Sequence, residues 1–537
     1  MTSFLSFVVG DDLAQYLPSV GGFGLVALAI SVILLASRKS RRNPRRLPYP
    51  PGPRGYPIIG NLLDVPPKFA HKVYNEWSLK YGDMIYLNVL GKPILVLNSL
   101  SRIEDLLETR SALYSDRPKT TMLPELMGWN NVLPCLNYGP RWRLHRKTFA
   151  QFFTREATQG YRPLQIESVQ RLISRLLKSQ DDVILQVEQH MSSLIARLVY
   201  SIDIEENETY LKLVNGIIKA FEEAAIPGRF LVDVLPILKY IPGWMPGAEF
   251  QRFGQAATDL MKKLQKQPFE LVQEKMLNGK AETCIVSELI DQLPPSSDPT
   301  RSEMEAVFRQ VASIAHIGGA DTSYSAMRTI LYAMASHQDI QRRAQAEIDR
   351  EVEAGRPPTF DDCERLPFVN AIVKECLRWI STAPFGFPHA LSDEYDGYFI
   401  PKGTIILPNT WAIQHNESLY GSPFKFDPDR FLDLSKEVLD PVLTAFGYGR
   451  RMCPAYLFAL DAILIFTASI LATFDIQPLS EESSGLHENE RTESCLGSLS
   501  SVAFVPGACK TVTPYSIHPA KILHNYYHCS RQGSVYK

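Results

Sequence analysis

Apolar positions recur at three- and four-residue intervals over residues 69–81, 164–177, 184–202, 209–225, 249–277, 302–336 and 366–380, and this period predicts helices. Residues 455–473 form an apolar run that also reads as a helix. Gly139-Pro140 opens one more, since proline fits a first helical turn, where no N–H is required. Strand-like runs are short: residues 84–90 and 94–98 flank Gly91-Lys92-Pro93 and predict a hairpin. The pattern is that of a mainly α chain with a small β region. Between two of the helices, residues 227–247 are apolar, aromatic and broken by proline. Such a loop either packs into the core or meets a lipid surface.

One apolar stretch has a different character. Residues 20–37 carry no charge and are about long enough to span a bilayer core. Asp11 and Asp12 precede them; Arg38, Lys39, Arg41, Arg42, Arg45 and Arg46 follow. The positive-inside rule then predicts a single-pass anchor with the remaining chain in the cytoplasm. A cleaved signal peptide fits poorly, because the basic residues lie on the wrong side. The expected organisation is a lumenal 1–19, an anchor at 20–37, a basic and proline-rich hinge at 38–61, a catalytic domain at 62–518 and a tail at 519–537. With cytoplasmic orientation the sequons at Asn207 and Asn416 stay unused.

Composition removes some classes. The 537 residues carry a net charge of −2, which excludes a nucleic-acid binder by overall charge. The eight cysteines are scattered without C-x-x-C spacing, so neither a disulfide framework nor a zinc site is indicated. His524, His528 and Cys529 have loose metal-like spacing in what reads as a tail, and residues 480–501 read as a polar loop.

Cys453 ends the stretch Phe446-Gly447-Tyr448-Gly449-Arg450-Arg451-Met452-Cys453, and Pro454-Ala455 leads from it into the apolar run. A thiol at a helix start beside two arginines is expected to ionise, with Pro454 as the first helical residue. A thiolate is a good soft-metal ligand. In the longest helix, Gly318-Gly319-Ala320-Asp321-Thr322 places two glycines mid-helix, each costing roughly 1 kcal/mol against alanine. That cost predicts a function, such as a local hydrogen-bond defect. Trp142 and Arg146 share one helix face at i, i+4. Glu375…Arg378 is one of several Glu-x-x-Arg spacings, alongside Glu249…Arg252, Glu347…Arg350 and Glu353…Arg356.

In this order the motifs resemble the cytochrome P-450 superfamily of haem-thiolate monooxygenases. Phe446, Gly449, Arg451 and Cys453 match its signature Phe-x-x-Gly-x-Arg-x-Cys-x-Gly; Ala455 departs from the last glycine and puts strain or an altered iron potential in question. The resemblance implies haem b, with Cys453 as the axial iron ligand and Phe446 in the cofactor loop. Trp142, Arg146, His389 and Arg451 are implied to meet the propionates. Thr322 and Asp321 are implied to be the distal hydroxyl and the acid that supply protons. Glu375, Arg378 and Arg430 are implied to form a buried triad, and Phe385 with its neighbours to line the pocket. His316 is expected in the pocket or the core. Residues 47–61 are similar to the family's membrane hinge, residues 227–247 to its second membrane contact, and Arg143 and Lys147 to the basic face that receives an electron donor. Residues 514–517 are expected in a C-terminal hairpin.

The implied reaction is oxygenation of a lipophilic small molecule, with O2 and with electrons from NADPH through a separate cytochrome P-450 reductase, or cytochrome b5, at the endoplasmic reticulum membrane. The chain is most similar to fungal enzymes of secondary metabolism such as the O-methylsterigmatocystin oxidoreductase group, which implies a terpenoid or polycyclic aromatic substrate. A reductase-independent isomerase or dehydratase, a xenobiotic-oxidising member and a non-catalytic haem protein are the alternatives.

Overall fold

The computed structural model describes residues 43, 45–179, 182–204, 208–226, 228–433, 435, 437–478 and 515–519. The anchor expected at 20–37, the loop at 480–501, Asn207 and the histidines of the tail lie outside them.

Helix α1 (Ala70–Tyr81) packs on strand β1 (Met84–Val89), which pairs antiparallel with β2 (Lys92–Leu97). The turn falls on Leu90-Gly91, at φ 50° and 83°, with Val89 opposite Lys92. Two successive positive φ values match the twist of the strands, so Lys92 and Pro93 enter the strand instead of forming the turn.

The helical body follows as α2 (Pro140–Ala150), α3 (Arg162–Lys178), α4 (Val183–Tyr200), α5 (Glu208–Ala225), α6 (Glu249–Leu277), α7 (Ile285–Asp291), α8 (Arg301–Ser336), α9 (Gln338–Glu351) and α10 (Pro367–Trp379). Strands β3 (His389–Tyr395) and β4 (Tyr398–Pro408) complete a four-stranded sheet of order β1-β2-β4-β3, in which β2 and β4 run parallel.

Helix α11 (Tyr456–Thr473) continues directly into β5 (Phe474–Pro478), which pairs antiparallel with β6 (Tyr515–Pro519). By length and a mean hydropathy of 1.9, α11 could cross a membrane. Here it is a core helix, packed against α3, α8, α9 and α10. Ile463, Ile465, Phe466 and Ile470 are almost fully buried in it. Each such side chain contributes roughly 1.5–3 kcal/mol. Helix α8 is buried along most of its second half, and α11 on one side and α4 and α5 on another pack against it.

Candidate haem-thiolate site

The cysteine loop is shaped by its contacts before any cofactor enters. Gly449 sits at φ 53°, and a Cβ there would meet the Leu107 carbonyl oxygen at 2.0 Å. Only glycine permits both the handedness and the approach. Its N–H donates to Glu108 Oε1 at 2.6 Å, and the Cys453 N–H closes the loop onto Phe446 O at 2.8 Å. Thr410 and the Tyr448 hydroxyl hydrogen-bond at 2.9 Å. Ala455 is the N-cap of α11, at φ −104° and ψ 19°. An L-residue reaches that conformation without left-handed strain, so the missing glycine costs the backbone little. Pro454 therefore precedes the cap rather than starting the helix.

The loop arginines do not flank the sulfur. Arg450 Nε donates to Ser111 Oγ. Arg451 donates to Ser115 O (2.8 Å) and Leu136 O (2.6 Å) and lies 4.8 Å from the Trp142 ring. The cation facing Cys453 is Arg146 of α2. Burial pushes the Cys453 thiol up, outweighing the Ala455 N–H and Arg146, which pull it down. Burial thus opposes the ionisation expected from the loop alone, and a bound soft metal would favour it.

Three half-buried guanidinium groups, Arg117, Arg146 and Arg451, share one neighbourhood, and Arg146 is the one that acts on the Cys453 sulfur. Arg117, which the sequence did not single out, donates to Pro134 O (2.8 Å), Phe387 O (3.0 Å) and Pro388 O (2.8 Å). Burial pushes Arg117 down to about 10 and Arg451 to about 9, and it also lowers Arg146. Arg117 and Arg146 act on Arg451 as like charges and Asp116 as an opposite one, outside ion-pair distance, which places the three guanidinium groups in one field with that carboxylate. None of them forms an ion pair among the described residues, and Arg146 makes no hydrogen bond among them. Half-buried cations of this kind favour anions as partners. A cofactor with two carboxylates and a soft metal fits this set. His389 donates from Nδ1 to Tyr114 O at 2.6 Å; burial and then Arg117 hold its ring down to about 3, so it is neutral. Its Nε2 can donate to a carboxylate only after protonation.

Helix α8 runs unbroken through Gly318–Thr322, so no hydrogen-bond defect is present. The Thr322 hydroxyl donates to Gly318 O at 2.8 Å, one turn back. Open space lies where a Gly318 side chain would be. Gly319 does something else: its Cβ would stand 3.1 Å from Ile195 of α4, so it serves helix packing. Asp321 is buried. His316 belongs to the core, with Nδ1 3.0 Å from the Tyr210 hydroxyl. Phe385 is buried under the sheet with Tyr74 and His71. Phe387, two residues on, is partly exposed between Arg117 and Phe221.

Among the Glu-x-x-Arg spacings burial separates one from the rest. Arg378 Nε and Nη2 donate to Glu375 at 2.7 and 2.8 Å, and Arg430 Nε at 3.1 Å, all three side chains being buried. The Glu249–Arg252 and Glu353–Arg356 pairs are solvent-exposed, and Glu347 instead accepts from the N–H groups of Phe368 and Val369. Gln414 carries the triad to the cysteine loop. Its carbonyl accepts from Arg378 Nη1 at 2.9 Å, and its amide donates to Thr444 Oγ1 at 3.4 Å.

With this geometry, the chain belongs to the cytochrome P450 family, whose model matches residues 50–497. It is an oxidoreductase of the monooxygenase class, and the family holds haem through a cysteine thiolate. It is 41% identical over 441 residues to cytochrome P450 monooxygenase COX2 of Coprinopsis cinerea, covering 81% of this chain and 84% of that one. It is 38% identical over 444 residues to cytochrome P450 monooxygenase ARMGADRAFT_974139 of Armillaria gallica, covering 81% and 86%. It is also 34% identical over 465 residues to the tryptamine 4-monooxygenase of Psilocybe cyanescens, covering 84% and 91%.

Proposed function

We propose that this protein inserts one atom of O2 into a lipophilic terpenoid or polycyclic aromatic molecule, using NADPH electrons relayed by a separate reductase. The observation that carries the reading is a set of half-buried arginines without an ion pair among the described residues at the cysteine loop, with Arg146 acting on Cys453 and on Arg451, together with the open space at Gly318 of α8. Cys453 would hold the haem iron through its thiolate. Trp142, Arg146, Arg451 and Arg117 would hold the two carboxylates, joined by His389 once its ring is protonated, and Phe446 packs in the same loop. When bound, haem supplies the activation of O2. The chain's own share is to hold the thiolate with the Ala455 N–H and Arg146, and to deliver protons through Asp321 and Thr322. The name of the Psilocybe relative supports an aromatic substrate.

The exposed faces support a membrane setting. Ile58, Leu63, Leu231, Ile237, Tyr240 and Trp244 present their apolar side chains to solvent, with Ile58 95% and Trp244 80% exposed. We read them as resting on the endoplasmic reticulum membrane to which residues 20–37 tether the chain. The exposed Arg143 and Lys147 of α2 form the basic face for the electron donor.

The carbon-monoxide difference spectrum of the reduced protein tests the site: a thiolate-type Soret band that Cys453→His abolishes is the expected result. Product formation from candidate terpenoids and aromatics in reductase-bearing microsomes tests the substrate class.

A further inference from the structure

Asp321 belongs to a larger polar cluster. Tyr324 and Arg328 follow it at three and seven residues on one stripe of α8. Both are buried, and the Arg328 guanidinium lies 5.5 Å from the Tyr324 ring. Glu188 of α4 joins this stripe to α5, accepting from Asn215 Nδ2 at 3.3 Å. Its charged neighbours come from all three helices. Asp182 caps its own helix, Lys219 comes from α5, and Asp321 and Arg328 come from α8. Lys219 is exposed, Glu188 is half-buried and Asp321 is buried, so the groups step inward from solvent to the residue before Thr322. Two carboxyls in one another's field with partial burial do not both ionise readily. Burial first, and then the Asp321 charge, hold Glu188 above the usual carboxylate range.

We propose that Glu188 is the proton-relay residue that recharges Asp321 from solvent during oxygenation. This rests on the monooxygenase reading. In the relay the Glu188 O–H bond breaks as an O–H bond forms on the Asp321 carboxylate, directly or across one water. The Glu188 carboxylate then takes a proton from the Lys219 ammonium, which regains one from water. No electron moves in the relay. Each oxygenation takes up two protons and two electrons to reduce the second oxygen atom to water, and the electrons come from the donor protein. Glu188 acts through Asp321 and does not touch the substrate.

The test uses the haem-loaded protein with Glu188→Gln, which keeps the shape and an oxygen facing Asn215, and with Glu188→Asp. Infrared difference spectra of the resting protein, titrated with pH in H2O and D2O, should show a carboxyl band that persists above the ordinary carboxylate range and that Glu188→Gln removes. Reductase-driven NADPH oxidation should fall by roughly ten-fold or more in Glu188→Gln with a larger solvent deuterium effect, and Glu188→Asp should restore much of it. No carboxyl band lost, or an unchanged rate with an unchanged isotope effect, overturns the relay. Absence of the thiolate-type carbon-monoxide band in the unsubstituted protein would instead overturn the monooxygenase reading.

Discussion

Gly449 and Leu107 lie so close that a single methyl on the glycine would enter the Leu107 carbonyl, 2.0 Å away. The contact joins the cysteine loop to the helical turn that supplies Glu108, whose carboxylate receives the Gly449 N–H. Gly449→Ala combines a left-handed φ with overpacking, each costing roughly 1–3 kcal/mol. The expected outcome is loss of the reduced carbon-monoxide band, with a lowered unfolding midpoint already in the haem-free protein. Gly447→Ala, also at positive φ but with its nearest atoms 3.8 Å away, should be milder in both assays.

Glu375 compensates two buried guanidinium groups at once. Glu375→Ala should destabilise the protein by roughly 3–5 kcal/mol, because it strands Arg378 and Arg430 as buried charges. Glu249→Ala removes an exposed ion pair of the same spacing and should stay within about 0.5 kcal/mol. Urea unfolding of the two variants measures the contrast directly. The sequence spacing cannot supply it, since only burial distinguishes the pairs.

Arg146 offers the opposite sign. It is a half-buried cation without a hydrogen bond among the described residues, so Arg146→Met should leave the haem-free protein as stable or slightly more stable. The same change removes a charge-assisted donor, worth roughly 1.5–3 kcal/mol, and should weaken haemin binding about ten- to a hundred-fold. Thermal unfolding without haem and haemin titration test the two halves separately.

Acid should destabilise this fold earlier than carboxylate titration alone would. His71, His190, His316 and His415 are each held down to about 3, in every case first by burial. In the unfolded chain they titrate near 6.5. Between those limits the unfolded state binds protons that the folded state does not, so stability rises with pH. The contribution is complete above about pH 6.5 and drains away as pH falls toward 3, at up to about 1.4 kcal/mol per pH unit for each histidine. Unfolding midpoints between pH 7 and 5 measure the slope. His190→Gln, which can still meet Ser168, should reduce it by one residue's share.

The helices were legible because their period survives burial: α6 spans the residues that its pattern marked, and α4, α5, α8 and α10 differ from theirs by a residue or two at their ends. The cysteine loop and the Glu375 helix were legible because their chemistry is concentrated in a few neighbouring residues. What required coordinates was anything built from distant segments. Arg117 reads as a loop residue until it donates to Phe387 and Pro388, some 270 positions away (271 for the second contact). Phe385 and Phe387 have the same residue type, and only packing sends one under the sheet and the other toward the opening. The cation beside Cys453 comes from α2, although the loop itself carries two arginines.

Helix α11 also bears on how such a chain is made. A membrane-insertion machinery reads hydropathy before tertiary structure exists, and α11 would pass that reading. Asp461 lies within it and pairs with Arg162 at the start of α3, 2.9 Å away. Every helix that packs around α11 precedes it in the chain, so its docking site is already synthesised when the segment emerges. In the folded chain those eighteen residues end in protein, and Asp461, paired with Arg162, is the charge that favours that outcome over a lipid surrounding.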